Sequence, residues 1–363
     1  MTGVHLFVPM LHRRDAVGEH TLALRARLAT SGLPSQIYTE LPDPTTADET
    51  RPYLEYESDA EAGDVLVYQF ATDSVMAGWL ATRPQPLVVN YHSFTPPEYF
   101  APWNNAIARL QIGAAQRLAE LARRAALGIA DSEFIAAELR AAGFSNVTVV
   151  PVAGIAPPTE PSQGALDRLR SRRRGRGTAW LSVGRWAPNK AHHHTIAALF
   201  VARASTDPGA TLTLIGSPTE PAYAAALRRY AAALGLADAV DFVSGVSQDE
   251  LAAHYRTADV LVMLSDHEGF GVPLVEAMGH GLPIVAFDAG AVHEVLGDAG
   301  ILLADKHPRH VAAVIAGLMA DPGRREQLVA AGRSRLRALD IAHAGNHLVE
   351  AILGVRDAAA ARR

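Results

Sequence analysis

The chain has 363 residues, 49% of them hydrophobic and 20% charged, enough for two domains of ordinary size, each with its own core. It contains no cysteine, which excludes disulfide and thiol chemistry, and its formal net charge of -5 argues against a general nucleic-acid binder. No run reaches the ~18 to 20 unbroken apolar residues of a membrane span, and the opening MTGVHLFVPM lacks the layout of a secretion signal, so a cytoplasmic location is expected.

The first half alternates short apolar runs with amphipathic stretches: VHLFVPM, EHTLALRARLATSG, QIYTE, DVLVYQF, PLVVNY, IARLQIGAAQRLAELARRAA, LGIAD, FIAAELRAAG and NVTVVP. Such β/α alternation predicts a parallel sheet covered by helices. The Arg109 to Arg124 stretch reads as a sheet-packing helix and leaves peripheral membrane contact open. The pattern fails from Pro151 to Thr178, where PVAGIAPPTEPSQG is followed by the basic run RLRSRRRGRG, Arg168 to Gly177. That run is read as a solvated interdomain linker, with acidic lipid or a phosphorylated acceptor as its alternative partner.

The alternation resumes with TAWLSVG, TLTLIG, AYAAALRRYAAALG, VDFVSG, ELAAHY, ADVLVML and ILLA, a second sheet of the same class, and the tail from His307 reads as helices. The expected organisation is an N-terminal domain over 1-160, a basic linker over 161-177, a C-terminal domain over 178-345 and a final helix over 346-363.

Two segments of the second half carry chemistry. In SVGRWAPNKAHHHTI a strand ends in Gly184, Arg185 follows at once and Lys190 comes before a helix. Two cations on one strand-end loop suit a diphosphate, Arg185 as a planar fork and Lys190 as a point charge; the alternative is two exposed charges flanking a turn. In SDHEGFGVPLVEAMGHGLPIVAFDAGAVHEVL, Ser265 to Leu296, Glu268 lies in a loop at the carboxyl end of a strand and Glu276 in the first turns of the next helix. The helix start offers the N–H groups of Gly271 and Val272 to an anion. The glutamates, as acceptors, suit sugar hydroxyls. His192, His193 and His194 look like a metal tract, but consecutive residues near a helix start point in different directions, so no metal site is expected.

The string from Ser265 to Leu296, with GFG, Pro273 near the helix start and GLPIVAFDAG as the next strand, strongly resembles the donor-sugar signature of the glycosyltransferases of family 4. The resemblance implies the GT-B fold, two Rossmann-like β/α/β domains facing each other across a cleft, with the last helix crossing back to the N-terminal domain. It implies a retaining transferase that moves a hexosyl-type sugar from a nucleoside diphosphate sugar to an acceptor hydroxyl. No cofactor is expected, the donor being a UDP-, GDP- or other NDP-sugar, and the cationic work falls to Arg185, Lys190 and the helix start in place of a metal. Glu268 is then expected to hold the donor sugar and Glu276 the ribose. Gly184, Phe270, Gly271, Val272, Pro273 and Leu274 line the phosphate and sugar, and the base lies near Gly216 to Glu220 and Phe242 to Ser247, including Val246.

In the first half the resemblance is weaker. It implies that His92, just past the strand PLVVNY, faces the donor sugar. Gly18 falls in a loop where the family usually has a Gly-Gly pair; here Val17 precedes it, which puts the loop's phosphate contact in doubt. Glu19 and His20 are candidates for touching the acceptor. Ser132 either faces the cleft or caps a helix, and Phe94, Tyr99, Phe100 and Trp103 either stack on an acceptor ring or pack the loop. Rival readings are a nucleotide-sugar epimerase or hydrolase on the same fold and a non-catalytic sugar-nucleotide-binding subunit. A nicotinamide oxidoreductase is disfavoured, because no Gly-x-Gly-x-x-Gly follows the opening strand.

Overall fold

The computed structural model describes residues 2–13, 15–155, 158–173 and 177–361. The chain forms two units, one of Met1–Ala101, Asn105–Ile155 and Asp340–Arg363, the other of Pro102–Asn104 and Ala156–Leu339.

In the first unit the order is β1 (Val4–Val8), α1 (Ala16–Thr30), β2 (Ile37–Thr39), β3 (Thr50–Pro52), α2 (Tyr56–Asp59), β4 (Val65–Phe70), α3 (Val75–Ala81), β5 (Leu87–Tyr91), α4 (Pro97–Phe100), α5 (Asn105–Ala122), β6 (Leu127–Ala130), α6 (Glu133–Ala141) and β7 (Val147–Val149). All pairings are parallel and the sheet order is β3-β2-β1-β4-β5-β6-β7. Every residue of β4 and β5 is buried, as both faces of a helix-covered parallel sheet require. Leu66, Val67, Leu87, Val88 and Val89 are fully buried, each worth about 1.5–3 kcal/mol. Gln69 and Asn90 are the polar residues inside these two strands.

The second unit runs α7 (Gln163–Arg173), β8 (Ala179–Val183), α8 (His192–Ser205), β9 (Thr211–Ile215), α9 (Pro221–Ala233), β10 (Val240–Val243), α10 (Gln248–Thr257), β11 (Val260–Met263), α11 (Val272–His280), β12 (Ile284–Phe287), α12 (Val292–Leu296), β13 (Ile301–Leu303), α13 (Pro308–Ala320) and α14 (Pro322–Leu339). Its parallel sheet has the order β10-β9-β8-β11-β12-β13, the doubly wound arrangement of a Rossmann-like domain. The last helix, α15 (Ala344–Ala360), belongs to the first unit. Its residues Ala344, Leu348 and Ile352, spaced four apart on one face, share a buried cluster with Leu24 and Leu28 of α1.

The linker expected over 161-177 is corrected in its described part. Residues 163–173 form α7, packed on α10 in the second unit, and Arg174, Gly175 and Arg176 lie outside the described residues. Ser162 caps the helix by accepting the Ala165 N–H at 3.3 Å while its own N–H and hydroxyl bind Asp249. Arg173 reaches the Thr257 carbonyl and Asp259, so the described part of the basic run is a helix anchored at Arg173, with Arg168, Arg170 and Arg172 exposed to solvent. The units also divide after Ile155 and Leu339, not after 160 and 345. Asp340, at φ +51°, takes the left-handed conformation that separates α14 from α15.

Candidate active site

In the second sheet the strand order reverses between β8 and β11, and ligands of doubly wound sheets bind beyond the carboxyl ends of the strands at such a point. The two sequence segments singled out above are the loops leaving these two strands. Gly184 closes β8 so near to Gly216, at the end of β9, that a Cβ on Gly216 would lie 2.0 Å from the Gly184 carbonyl oxygen. Arg185 follows, exposed and with no side-chain partner among the described residues. A short turn then carries Lys190 into Ala191, which sits at φ +50°. A left-handed alanine costs about 1–2 kcal/mol, strain located where Lys190 leaves the turn.

Lys190 Nζ donates to Glu268 Oε2 at 2.7 Å. Glu268 is 5% exposed. Burial pushes its carboxyl up, but the Lys190 ammonium and hydrogen bonds from Lys190 and Ser265 outweigh burial and hold it below the ordinary range. The loop itself is clamped: Asn189 accepts the Asp266 N–H at 2.7 Å and donates to the His267 carbonyl at 3.2 Å. Lys306, after β13, pairs with Asp266 and lies 4.6 Å from the centre of the Phe287 ring. Sequence reasoning missed Asn189 and Lys306, since neither belongs to a recognisable spacing.

The helix α11 starts at Gly271, φ +92°, with no side-chain cap and Pro273 in its first turn. Among the described residues the N–H groups of Gly271 and Val272 have no hydrogen-bond partner, leaving two donors and the positive end of the helix dipole for an anion. Phe270 and Leu274 are buried, and the Leu274 N–H is bound to the Gly271 carbonyl at 2.9 Å; both residues hold the helix start in place. Glu276 is partly buried, and Tyr255 of α10, itself stacked on His280 at 5.3 Å, donates its hydroxyl to Glu276 Oε2 at 2.6 Å. Burial raises the Glu276 carboxyl above its ordinary range, with the tyrosine bond opposing. Tyr255 was not visible in the sequence as a site residue, being 21 positions away. Tyr255→Phe strands a carboxylate oxygen, and urea unfolding should show a loss of about 1–3 kcal/mol; an unchanged midpoint would remove its role in holding Glu276.

Val246 lies in the loop after β10, at the edge of the sheet two strands from β8. Glu220 is buried and caps α9 by accepting the Ala222 N–H at 3.1 Å. Of the three histidines His192 turns away from the other two, whose rings lie 4.3 Å apart. His192 is buried between the Ser182 hydroxyl and the Arg185 carbonyl, and burial lowers it to about 4. His193 meets the Tyr223 hydroxyl at 3.1 Å and is likewise lowered by burial to about 4, while His194 stacks on His193. Among the described residues no three His, Cys, Asp or Glu side chains gather as a metal-binding group.

In the first unit, Gly18 is buried at the start of α1, where a Cβ would lie 1.8 Å from the His12 carbonyl oxygen. Its N–H points to Asp15 Oδ2 at 3.4 Å, so the glycine serves close packing and offers no free amide. His92, past the end of β5, meets Asp131 Oδ2 through Nδ1 at 2.8 Å and the Gln69 amide through Nε2 at 2.7 Å. The expectation for His20 is corrected: it is wholly buried, bonded to Asn90 and to the Ala153 N–H, and burial lowers it to about 3, so it touches no acceptor. Ser132 caps α6, accepting the Ile135 N–H at 3.2 Å. Phe100 is buried and Phe94 packs on Tyr91, whereas Trp103, a residue of the second unit, is 37% exposed and packs edge-on against Tyr223 at 5.1 Å.

Two parallel sheets of this order are the two Rossmann-like units of a GT-B fold, and solved structures share it. HepE of Anabaena in complex with UDP-glucose superposes with a TM-score of 0.77 at 19% identity, over 97% of this chain and 99% of that one. Sucrose-phosphate synthase from Thermosynechococcus elongatus gives 0.77 at 20% identity over 99% and 100%.

Residues 168–335, which contain Arg185, Lys190, Glu268, Glu276 and the start of α11, match the family described as "Glycosyl transferases group 1". The D-inositol 3-phosphate glycosyltransferase of Acidothermus cellulolyticus is 36% identical over 219 residues, 54% of this chain and 46% of that protein. A GDP-mannose-dependent alpha-(1-6)-phosphatidylinositol monomannoside mannosyltransferase of Mycobacterium tuberculosis is 32% identical over 188 residues, 49% of this chain and 48% of that protein. The chain thus spans about half the length of these curated relatives.

Proposed function

We propose that this chain is a glycosyltransferase that moves a hexosyl-type sugar from a nucleoside diphosphate sugar to an acceptor hydroxyl, with retention of anomeric configuration and without a metal. The observation that carries the reading is the Lys190–Glu268 pair at the reversal point of the second sheet, on loops shared with the exposed Arg185 and the free amides of Gly271 and Val272. Cations and amides take the diphosphate and stabilise it further as the glycosidic bond to the sugar breaks and charge builds on it. Glu268 and Glu276 accept hydrogen bonds donated by hydroxyls of the sugar and the ribose. The names of the relatives and of the matched family support a transferase, and those naming inositol phosphate and phosphatidylinositol mannoside support a polyol hydroxyl acceptor in cell-envelope or metabolite synthesis. The UDP-glucose complex of a structural neighbour supports a nucleotide-sugar donor.

The test is a thermal-shift titration with UDP, GDP, ADP and TDP and their hexose conjugates, with and without EDTA. One nucleotide family should raise the melting temperature, since a ligand at 100 times its Kd adds about 2.7 kcal/mol, and EDTA should leave the shift intact. Glu276→Ala should weaken that binding by about 1.5–3 kcal/mol. A shift abolished by EDTA would overturn metal independence. No shift with any nucleotide would overturn the donor site, and binding without transfer to any hydroxyl acceptor would favour a non-catalytic subunit.

A further inference from the structure

Gln69 and Asn90, the two polar residues of the central strands β4 and β5, are wholly buried in the first unit and connect two histidines. His20 and His92 lie with ring centres 4.9 Å apart. Between them runs a chain of contacts: Ala153 N to His20 Nδ1 at 3.1 Å, His20 Nε2 to the Asn90 amide at 2.7 Å, the Asn90 amide to the Gln69 amide at 3.1 Å, the Gln69 amide to His92 Nε2 at 2.7 Å, and His92 Nδ1 to Asp131 at 2.8 Å. One end of this chain is fixed by chemistry. The Ala153 N–H can only donate, so His20 Nδ1 is bare, and a neutral imidazole with a bare Nδ1 carries its proton on Nε2. A protonated ring would aim two hydrogens at each other, and burial opposes it as well.

The proton on His20 Nε2 needs an acceptor, so the Asn90 atom 2.7 Å away is Oδ1. The structure places Nδ2 there, but the oxygen and nitrogen of an amide are told apart only by their partners. The Gln69 atom facing Asn90 Oδ1 must then be a donor, Nε2, and its second hydrogen points at His92 Nε2. That nitrogen is therefore bare, and the His92 proton sits on Nδ1 and is donated to Asp131 Oδ2. Each contact fixes the next, and in every contact of the chain a donor meets an acceptor; the outer amide atoms, Asn90 Nδ2 and Gln69 Oε1, then take two buried positions without a hydrogen-bond partner among the described residues. With the amides the other way round, both nitrogens of His20 would have to accept.

We propose that His20, Asn90, Gln69 and Asp131 are positioning residues for His92, a chain that locks it as a neutral ring protonated on Nδ1 with both nitrogens engaged. His92 then serves transfer as a fixed neutral group and not as a proton donor. That last step rests on the transferase reading; the protonation pattern does not. The residue after His92 is held too: Ser93, at φ +58°, donates its hydroxyl to Glu138 Oε2 at 3.0 Å. A lone polar residue within an apolar strand costs burial energy unless it is satisfied, and here two neighbouring strands each carry one at the same sheet end, joined to each other.

Long-range proton–nitrogen NMR on the full chain with labelled histidine tests the pattern directly, with His20→Gln and His92→Gln used for assignment. At pH 7 His92 should show a protonated Nδ1 and a bare Nε2, and His20 the reverse. A His92 protonated on Nε2, alone or with Nδ1, would overturn the proposal whether or not the protein transfers any sugar. Two isosteric variants test the direction. Gln69→Glu, in its ionised form, can only accept and should force a proton onto His92 Nε2, whereas Asn90→Asp keeps the acceptor the chain needs and should leave the His92 signals as in the parent protein. The opposite response of the two variants would reverse the chain. In a donor-consuming assay Gln69→Glu should lower kcat about tenfold or more, the scale of a misplaced group, with donor KM within about twofold and with Asn90→Asp largely spared. An unchanged kcat in a folded Gln69→Glu protein would overturn the positioning role while leaving the tautomers standing.

Discussion

Lys190→Met will destabilise the protein by about 3–5 kcal/mol at neutral pH, because it leaves a buried carboxylate without its partner. Lys190 and Glu268 are 19% and 6% exposed at their side chains and bonded at 2.7 Å, so solvent cannot take over the lost contact. The pH dependence has a definite sign. In the parent protein the Glu268 carboxyl is held below its ordinary 4.5, so the pair stabilises the fold above that value and the contribution is lost as pH falls through the lowered one. In Lys190→Met burial, the largest influence on the carboxyl, is opposed only by the Ser265 hydrogen bond and His267 and raises it relative to the parent, so the penalty is largest at neutral pH and fades as Glu268 takes up a proton. The gap between the two proteins, followed by urea unfolding from pH 7 to about pH 4, should therefore narrow on acidification; a gap constant with pH would mean that packing, not charge, was lost. Adding Glu268→Gln should recover much of the stability, since two neutral groups replace the pair. It should not recover transfer, for which loss of one stabilising cation costs about 10²–10³ in kcat.

Lys190 and Glu268 were each legible in the sequence as site residues because each stands just past an apolar strand end, where the side chains of a parallel sheet converge; their bond to each other was not, since one was expected on the diphosphate and the other on the sugar. The β/α alternation was legible for the same reason: strands buried on both faces, such as VLVYQF and LVVNY, must be written as near-continuous apolar runs. What the sequence hid was whatever depends on distant packing. The edge strand β3 has only three residues, one of them a proline. Helix α7 looks like a charged linker because Ala165 is its one buried residue; its anchor, Arg173, is bonded to residues 84 and 86 positions away. Tyr255 and Lys306 act on Glu276 and Asp266 across 21 and 40 positions, on elements whose own patterns are ordinary. His20 shows the limit of proximity in sequence: it follows the expected loop closely but turns into the core, where Asn90 and Ala153 receive it.

The loop carrying Glu268 is shaped by a glycine whose importance no carboxylate motif announces. Gly290, at φ +60°, lies so near the loop that a Cβ there would stand 2.2 Å from the Glu268 carbonyl oxygen and 3.2 Å from its nitrogen. Backbone cannot give way as a side-chain tip does, and the next residue's N–H, that of Ala291, is bonded to the same carbonyl at 2.9 Å. Gly235 supplies a matched control, because it has nearly the same backbone conformation, φ +72°, but nothing within 4 Å of its added Cβ. Gly235→Ala should cost only the left-handed penalty, about 1–2 kcal/mol. Gly290→Ala should add the cost of overpacking, about 1–3 kcal/mol more, and should push Glu268 away from Lys190, so that donor affinity falls along with stability. Equal losses in urea unfolding would show that the loop yields freely at Gly290. A larger loss of stability with unchanged nucleotide binding would show that Glu268 keeps its place without the glycine, and that the geometry of the pair is set by the Asn189 and Lys306 clamps alone.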